Sequence, residues 1–197
     1  MTARRYLFLA AALIAGVVYR ADEGRGGLFG RTLTDAQQVI ADTKINHGDL
    51  TIAGSADRED TTYDPGQPII LSVKTNKDAH VAILRVLANG DTTIVFPNRG
   101  HRDAAIASNT VLTVPNPGDA VKLATDKSGI VLFEFIASTA GDSWLFTRAP
   151  DNGADFADLG ITTRNIAKGL LSSLKVGAGR DTAATYLTVR IAGGGLF

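Results

Sequence analysis

The sequence predicts a mainly β protein, an antiparallel, immunoglobulin-like β-sandwich with one C-terminal helix before a final strand. Between residues 45 and 137, apolar and polar residues alternate with a period of two, as they do in strands that bury one face. Turn residues separate these runs at intervals of about ten residues, a spacing typical of antiparallel sandwiches. Near the C-terminus the period lengthens to that of a helix and then returns to two.

Composition sets limits on both architecture and function. The 197 residues include 20 Lys+Arg, 20 Asp+Glu and no Cys, and 45% are hydrophobic. This length suits one domain of ordinary size with a buried core. A formal charge of zero argues against a general nucleic-acid binder, because such a protein needs a basic surface. The lack of cysteine excludes disulfides, thiolate nucleophiles and cysteine-based metal sites.

Residues 1–21 predict an export signal or an N-terminal anchor. Arg4-Arg5 precedes the uncharged run Leu7–Tyr19. A helix of this length rises about 20 Å, less than the bilayer core of about 30 Å, so the run is typical of a secretory signal. The bulky Tyr19 stands where a cleavage site prefers a small residue, so an uncleaved anchor stays open. We expect an exported protein of the periplasm or cell envelope, either released or membrane-anchored through residues 7–19.

Residues 22–44 predict a glycine-rich spacer with a short helix. The glycines of Gly24–Gly30 match neither of the glycine patterns that bind phosphate, so a flexible spacer explains them. Thr34-Asp35 is a capping signal for a helix over Ala36–Asp42. The sandwich domain is then expected over residues 45–192, with a flexible tail at 193–197.

The predicted strands are, in chain order, Leu50–Ala53, Ile69–Lys74, Val81–Ala88, Thr92–Phe96, Thr110–Val114, Val121–Ala124, Ile130–Ala137 and Thr185–Ile191. Val81–Ala88 is apolar on both faces, which predicts a central strand. Asn89-Gly90 directly after it predicts a hairpin, because both residues tolerate a positive φ. From Ile166 to Leu174 an apolar residue recurs every fourth position, which predicts a helix over Thr163–Lys175 across one end or face of the sandwich.

Several segments of the predicted sandwich resemble a known family. They are Tyr63–Pro68, Ile69–Thr75, Asp78–Val81, Gly90-Asp91-Thr92, Val95–Asn98, the Pro115 turn, and Gly129 followed by Phe133–Ser138. Together they resemble the bacterial domain of unknown function 4384 family over about residues 61–146, and to 192 if the helix and final strand common in such domains are included. Val95 stands where that family usually has Leu, and His80 where it usually has Tyr.

The resemblance implies an exported or envelope-associated β-sandwich. Such domains often accompany caspase-like, kinase or secretion-associated modules. The resemblance implies no catalytic residues. We therefore expect a non-catalytic binding or assembly module of the cell envelope, not an enzyme, with an envelope protein as its partner. We expect no nucleic-acid partner, no cofactor and no metal.

The loop after Thr92–Phe96 is the candidate binding site. Pro97 ends a strand ladder because it has no N–H to donate. Asn98, Arg99, His101 and Arg102 then present hydrogen-bond donors at the end of the sandwich. The two arginines suit carboxylates or phosphates on a partner. The alternative is a solvated turn in which the asparagine caps its own backbone.

Two other functions stay open. A carbohydrate-binding module would use Trp144 with the nearby Phe146, although such a tryptophan more often closes the end of a core. An enzyme of unrecognised type would use His101 as a base, oriented by Asp103. No G-x-S-x-G motif supports a hydrolase triad.

Two further groups of polar residues have simpler interpretations. Asp57, Glu59, Asp60 and Asp64 supply carboxylates of the kind that Ca²⁺ prefers, but their spacing departs from the EF-hand loop, which favours a solvated loop. His80 lies in a predicted strand, and we expect it to pack at the end of the sheet.

Overall fold

A computed structural model describes residues 32–148, 150, 153–174 and 180–193. The predicted signal at residues 1–21, the glycines at 24–30 and the tail beyond residue 193 lie outside the described residues. Within the described ranges, no helix is both long enough and apolar enough to cross a bilayer.

The helices are α1 (Asp35–Ala41), α2 (Trp144–Thr147) and α3 (Thr163–Ser173). The strands are β1 (Ile52–Ala56), β2 (Thr62–Tyr63), β3 (Leu71–Thr75), β4 (Ala79–Val86), β5 (Thr92–Phe96), β6 (Ala105–Ile106), β7 (Val111–Val114), β8 (Gly129–Ser138), β9 (Ala157–Asp158) and β10 (Thr182–Ile191).

These strands form two sheets packed against each other. The smaller sheet has the order β1-β3-β7, and the larger has the order β2-β10-β8-β4-β5-β9, with β6 also paired to β4. The strand pairs are antiparallel except for the short parallel pair of β2 and β10. The predicted mainly β sandwich, with a helix before its final strand, is therefore confirmed.

The main core lies between the two sheets. Alternate residues of β3, β4 and β8 point into this layer, because successive side chains of a strand face opposite ways. Leu71, Val73, Val81, Ile83, Phe133 and Phe135 are among its fully or almost fully buried members. The rings of Phe133 and Phe135 on β8 are completely buried in this core, between the larger and the smaller sheet.

The other face of the larger sheet is covered by the helices. Leu84, Leu132 and Ile136 point to this face and form a second core with Ile40 of α1 and Leu170 of α3. Because β4 and β8 are covered on both faces, they are apolar on both faces, as predicted for the central strand. The molecule thus adds a helix layer to the sandwich, and α3 lies on a face of the sheet rather than at its end.

Helix α1 is held to the larger sheet by a buried glutamine. Thr34 caps α1, and Gln37 completes a capping box by accepting from the Thr34 N–H at 3.1 Å. The Gln37 amide donates to the carbonyls of Val86 and Ile130 at 3.0 and 2.8 Å. The short helix predicted at the end of the spacer is therefore packed against the domain.

Local signals located most elements closely. β5 has the predicted bounds, and it pairs with β4 in the predicted hairpin, where Gly90 has a φ of 90°. Helix α3 begins at Thr163, as predicted, and Thr162 caps it. Val121–Ala124 was predicted as a strand and is wrong: the Leu123 carbonyl accepts from Ile69, but the segment forms no ladder. Helix α2 and the two-residue strands β2, β6 and β9 were not predicted.

Candidate functional site

The candidate loop follows β5 and is closed by its own asparagine. Asn98 is only 1% exposed. Its Oδ1 accepts from the backbone N–H groups of Gly100 and His101, both at 2.9 Å, and its Nδ2 donates to the Val95 carbonyl at 3.2 Å. The Asn98 backbone N–H also donates to the His101 carbonyl at 2.9 Å. The asparagine thus caps its own turn, as the alternative interpretation of the sequence expected, and this gives the loop a defined shape.

Arg99 ties this loop to a second segment of the chain. Its Nε and Nη2 donate to Oδ1 of Asp155 at 3.1 and 2.6 Å, and Nη2 also donates to the Ala120 carbonyl at 3.1 Å. The backbone N–H of Arg99 donates to the Asp155 carbonyl at 3.1 Å. An ion pair this exposed contributes little to stability. It does occupy the Nε and Nη2 donors of Arg99, which the sequence analysis assigned to a partner.

The remaining members of the loop differ in accessibility. Pro97 is buried, and the His101 ring packs edge-on against Phe96 at 5.3 Å between centroids. The His101 Nδ1 lies 2.7 Å from the Asn116 amide nitrogen, which makes Nδ1 the acceptor and places the ring proton on Nε2. Arg102 is exposed and has no hydrogen bond or ion pair with the described residues. Its guanidinium is therefore the side chain of this loop best placed to meet a partner.

His101 and Asp103, the residues of the enzymatic alternative, form their hydrogen bonds with other groups and not with each other. Asp103 Oδ1 accepts from the Ala105 N–H at 2.9 Å. Its histidine neighbour, His101, is bonded to Asn116, and within residues 32–148 no hydrogen bond joins the histidine to the aspartate. The structure therefore brings the two residues into one loop but not into an acid–base pair.

The aromatic residues of the carbohydrate alternative belong to the helix layer. Trp144 begins α2 and is half-buried, with its indole near Gly169 of α3: a Cβ added there would be 3.6 Å from the ring. Phe146 is buried and lies 6.0 Å from the His80 ring at the start of β4. His80 thus packs at the sheet end, as predicted, and only part of the Trp144 ring is accessible for stacking.

The acidic group closes turns of the chain. Asp57 Oδ1 accepts from the Tyr63 hydroxyl at 2.7 Å and from the Ile70 N–H at 3.0 Å. Burial of Tyr63, reinforced by this carboxylate, raises the pKa of its hydroxyl well above the usual range. Asp60 Oδ1 accepts from the Thr62 N–H at 3.1 Å. Among the described residues, no three His, Asp or Glu side chains are arranged to hold a metal ion.

Sequence reasoning missed the buried Glu134, the half-buried Arg85 and an incompletely paired edge of β10 on one side of the sandwich. Glu134 of β8 is 3% exposed, and its Oε2 has no hydrogen-bond partner in the described structure. Arg85 of β4 donates to the Ala124 carbonyl at 3.1 Å, and burial lowers its pKa. Both charged residues could have been noticed in the sequence, because each interrupts a strand that is apolar on both faces. The incompletely paired edge could not, because it depends on which strands lie at the edges of the sheets.

Comparison with known proteins adds one finding. No curated protein and no solved structure matches the chain. One family model matches residues 62–140, a segment that begins at β2 and ends just after β8. This segment contains the candidate loop and the hairpin of β4 and β5. The matching model is that of the family described as Domain of unknown function (DUF4384), so the match over residues 62–140 confirms the resemblance predicted from the sequence.

Proposed function

We propose that this protein is a non-catalytic binding or assembly module, exported to the cell envelope, whose partner is an envelope protein with an acidic surface. The partner docks on the loop at the end of β5. Export is supported by the Arg4-Arg5 pair and the uncharged run Leu7–Tyr19.

The observation that carries this proposal is the preformed shape of the loop. Asn98 makes three side-chain hydrogen bonds within the turn, and Arg99 is bonded to Asp155 across it. A loop that is already ordered loses little conformational entropy when a partner binds, so more of the contact energy appears as affinity. Rigid loops at the ends of sheets commonly serve recognition.

The charge pattern of the loop points to an acidic partner. Arg99 forms an ion pair with Asp155 of the same chain. Arg102, in contrast, is exposed and has no ion pair with the described residues. A guanidinium binds a carboxylate through two parallel hydrogen bonds, which adds directional specificity to charge attraction. Arg102 is therefore the side chain that selects the partner, and Arg99 shapes the loop around it.

The test is crosslinking of the full-length protein in envelope fractions. Arg102→Ser should reduce the yield of the partner crosslink at least about fivefold, corresponding to the loss of one charge-assisted contact. Arg164→Ser is the matched control, because Arg164 is an exposed arginine on α3, and it should leave the yield unchanged. Equal yields for the two variants would contradict the proposal, as would turnover of a substrate that depends on His101 or Asp103.

A further inference from the structure

Among the described residues, strand pairing on the outer edge of β10 is confined to its two ends. Its inner edge pairs with β8 along the whole strand, from Thr182 to Ile191. On the outer edge, Thr182 exchanges backbone hydrogen bonds with His47 at 2.8 and 2.9 Å. At the other end, the N–H of Arg190 donates to a carbonyl just before β2 at 2.9 Å. Between these ends lies a stretch of sheet edge beside which the described part of the chain places no strand.

Two peptide groups in that stretch point outward without a partner. Backbone groups of alternate residues in a strand point to opposite edges. Because Thr182 and Arg190 bond outward, Tyr186 and Thr188 also point outward, and their N–H groups have no acceptor among the described residues. The N–H of Ala184 is satisfied by the Asn46 side chain at 2.6 Å. Tyr186 is 49% exposed, so solvent reaches this edge.

A second open edge lies beside the first. β1 is a terminal strand of the smaller sheet, and within the described ranges its one strand partner is β3. It lies close over the larger sheet, because a Cβ at Gly54 would be 2.5 Å from the Phe135 ring. A groove of about 510 Å³ lies between the segment from Asn46 to Ile52 and residues Ala183–Thr185 of β10. Its lining mixes polar and apolar residues, and it borders one end of the open stretch of β10.

Over its open stretch, neither edge strand carries the charge or proline that commonly prevents strand addition. Natural edge strands are protected by charged side chains, proline, bulges or a covering segment. Thr182–Val189 and Ile52–Ala56 contain neither charge nor proline. The opposite edge of the larger sheet is covered, since β9 pairs with β5 through Thr93 and Ile94. The two edges of the larger sheet therefore differ, because a strand pairs along part of β5 and β10 is open between its ends.

We propose that an extended segment of a partner protein adds to this edge as a strand, pairing with β10 between Ala184 and Thr188. The proposal rests on the binding function proposed above and names a second contact surface for it. Main-chain groups at strand spacing are complementary to another extended backbone, which is how peptides add to exposed sheet edges. The bound stretch, five residues at strand spacing, spans about 17 Å. Because Thr182–Val189 carries no charge, the edge favours an uncharged segment of residues that readily form strands.

The ends of the open stretch favour a single extended segment over a second copy of this chain. Asn46 and His47 border it at one end, and β2 borders it at the other. The edge is thus recessed between two covering segments. A second copy would bring the same covering segments, which would meet before the two β10 strands could pair. A single extended chain can lie in the recess.

Hydrogen exchange of the full-length protein tests the open edge directly. The outward amides of Tyr186 and Thr188 should exchange at least about tenfold faster than the inward amides of Thr185 and Leu187, which bond to β8. Equal protection of all four amides would overturn the proposal. Protection of the outward pair that increases with protein concentration would assign the edge to a second copy and would also overturn it.

Peptide binding tests the occupant. The probe is a panel of ten-residue peptides in which threonine alternates with valine, isoleucine, leucine or phenylalanine. At least one should bind at millimolar concentration or below and protect the amides of Tyr186 and Thr188 at least about tenfold. The same peptide with alternate amides N-methylated keeps its side chains but loses one hydrogen-bonding edge, and its affinity should fall at least about tenfold. Binding by neither peptide, or by both equally, would overturn the proposal.

Two substitutions at one position provide the matched control in the protein. Tyr186→Pro removes the outward N–H without removing a bond to β8, whereas Tyr186→Thr removes the ring and keeps the N–H. The proline variant should lose peptide binding and the threonine variant should keep it within about threefold. Arg102→Ser should bind the peptide normally, so a failure of the loop proposal and a failure of the edge proposal give different results.

Discussion

At the scale of single residues, Glu134 is the least expected feature of the molecule. It lies on β8 between Leu84 and Tyr186 of the neighbouring strands and faces the helix layer. Burial raises the pKa of its carboxyl well above the usual range, because the charged form loses its hydration and Oε2 gains no hydrogen bond from the described residues in return. The protein therefore carries this carboxyl in its neutral form at low and moderate pH.

This residue should make stability fall as pH rises. The unfolded chain ionises Glu134 near pH 4.3, whereas the folded chain keeps the proton until its raised pKa is reached. Between these two pKa values the folded state binds more protons than the unfolded state, so the free energy of unfolding falls by up to about 1.4 kcal/mol per pH unit. Glu134→Gln should remove this dependence, and its stability relative to the wild type should increase above about pH 4.5.

Chemical denaturation at several pH values between 4 and 9 measures the effect. Glu59→Gln is the matched control, because Glu59 is exposed, and it should leave the pH dependence of the wild type intact. If the wild type and Glu134→Gln showed parallel pH profiles, Glu134 would not titrate differently in the folded and unfolded states.

At the scale of elements, helix α1 shows how one side chain attaches a short helix to a sheet. A seven-residue helix is marginal by itself, because nucleation is costly and few hydrogen bonds follow. Gln37 is completely buried and bonds the carbonyls at the end of β4 and the start of β8, while Ile40 packs into the helix-side core. The helix therefore depends on its contacts with the sheet rather than on its own propensity.

Gln37→Leu should destabilise the protein by about 2–4 kcal/mol. The leucine keeps the volume of the side chain but leaves the buried carbonyls of Val86 and Ile130 without their donor, and an unsatisfied buried group costs about 1–3 kcal/mol. Gln38→Leu is the control on the same helix, since Gln38 is exposed and bonds only Asp42. It should change the free energy of unfolding, measured in urea, by less than about 0.5 kcal/mol. If the two changes had equal effects, the hydrogen bonds of Gln37 to Val86 and Ile130 would not be what holds α1 to the sheet.

At the scale of the whole molecule, the larger sheet organises everything else. One of its faces carries the smaller sheet and the main core, and the other carries the helix layer. The candidate loop follows one strand of this sheet, β5, and the open edge belongs to another, β10. The two proposed contact surfaces therefore use different parts of one rigid scaffold and can be tested separately.

The export proposal also belongs to this scale. Deletion of residues 2–21 removes the Arg4-Arg5 pair and the apolar run, and should move the protein from the envelope and periplasmic fractions to the cytoplasm. The intact mass of the exported protein then separates a cleaved signal from an anchor, because only the anchored form keeps residues 7–19. An unchanged distribution after the deletion would contradict the proposal.

Interactions close in sequence were the predictable part of this protein. The β4–β5 hairpin, the capped start of α1 at Thr34 and the apolar stripe of α3 depend on residues a few positions apart, so their signals are local. The sequence likewise identified β4 as a central strand, because its consecutive residues are apolar and so indicate burial on both faces. The resemblance over the first half of the sandwich came from motifs of the same local kind.

Tertiary structure decided everything that depends on which segments become neighbours. Val121–Ala124 has the alternation of a strand, yet no ladder forms beside it, and the contribution of Gln37 requires two carbonyls far away in sequence. The open edge of β10 is decided in the same way, because Thr182–Ile191 would read identically if another strand lay beside it. The sequence alone thus determined the longer elements, their buried faces and the resemblance to a family over residues 62–140. Only the pairing of distant strands decided where backbone groups remain available to a partner, because hydrogen bonding between strands is set by spatial neighbours and not by the residues of one strand.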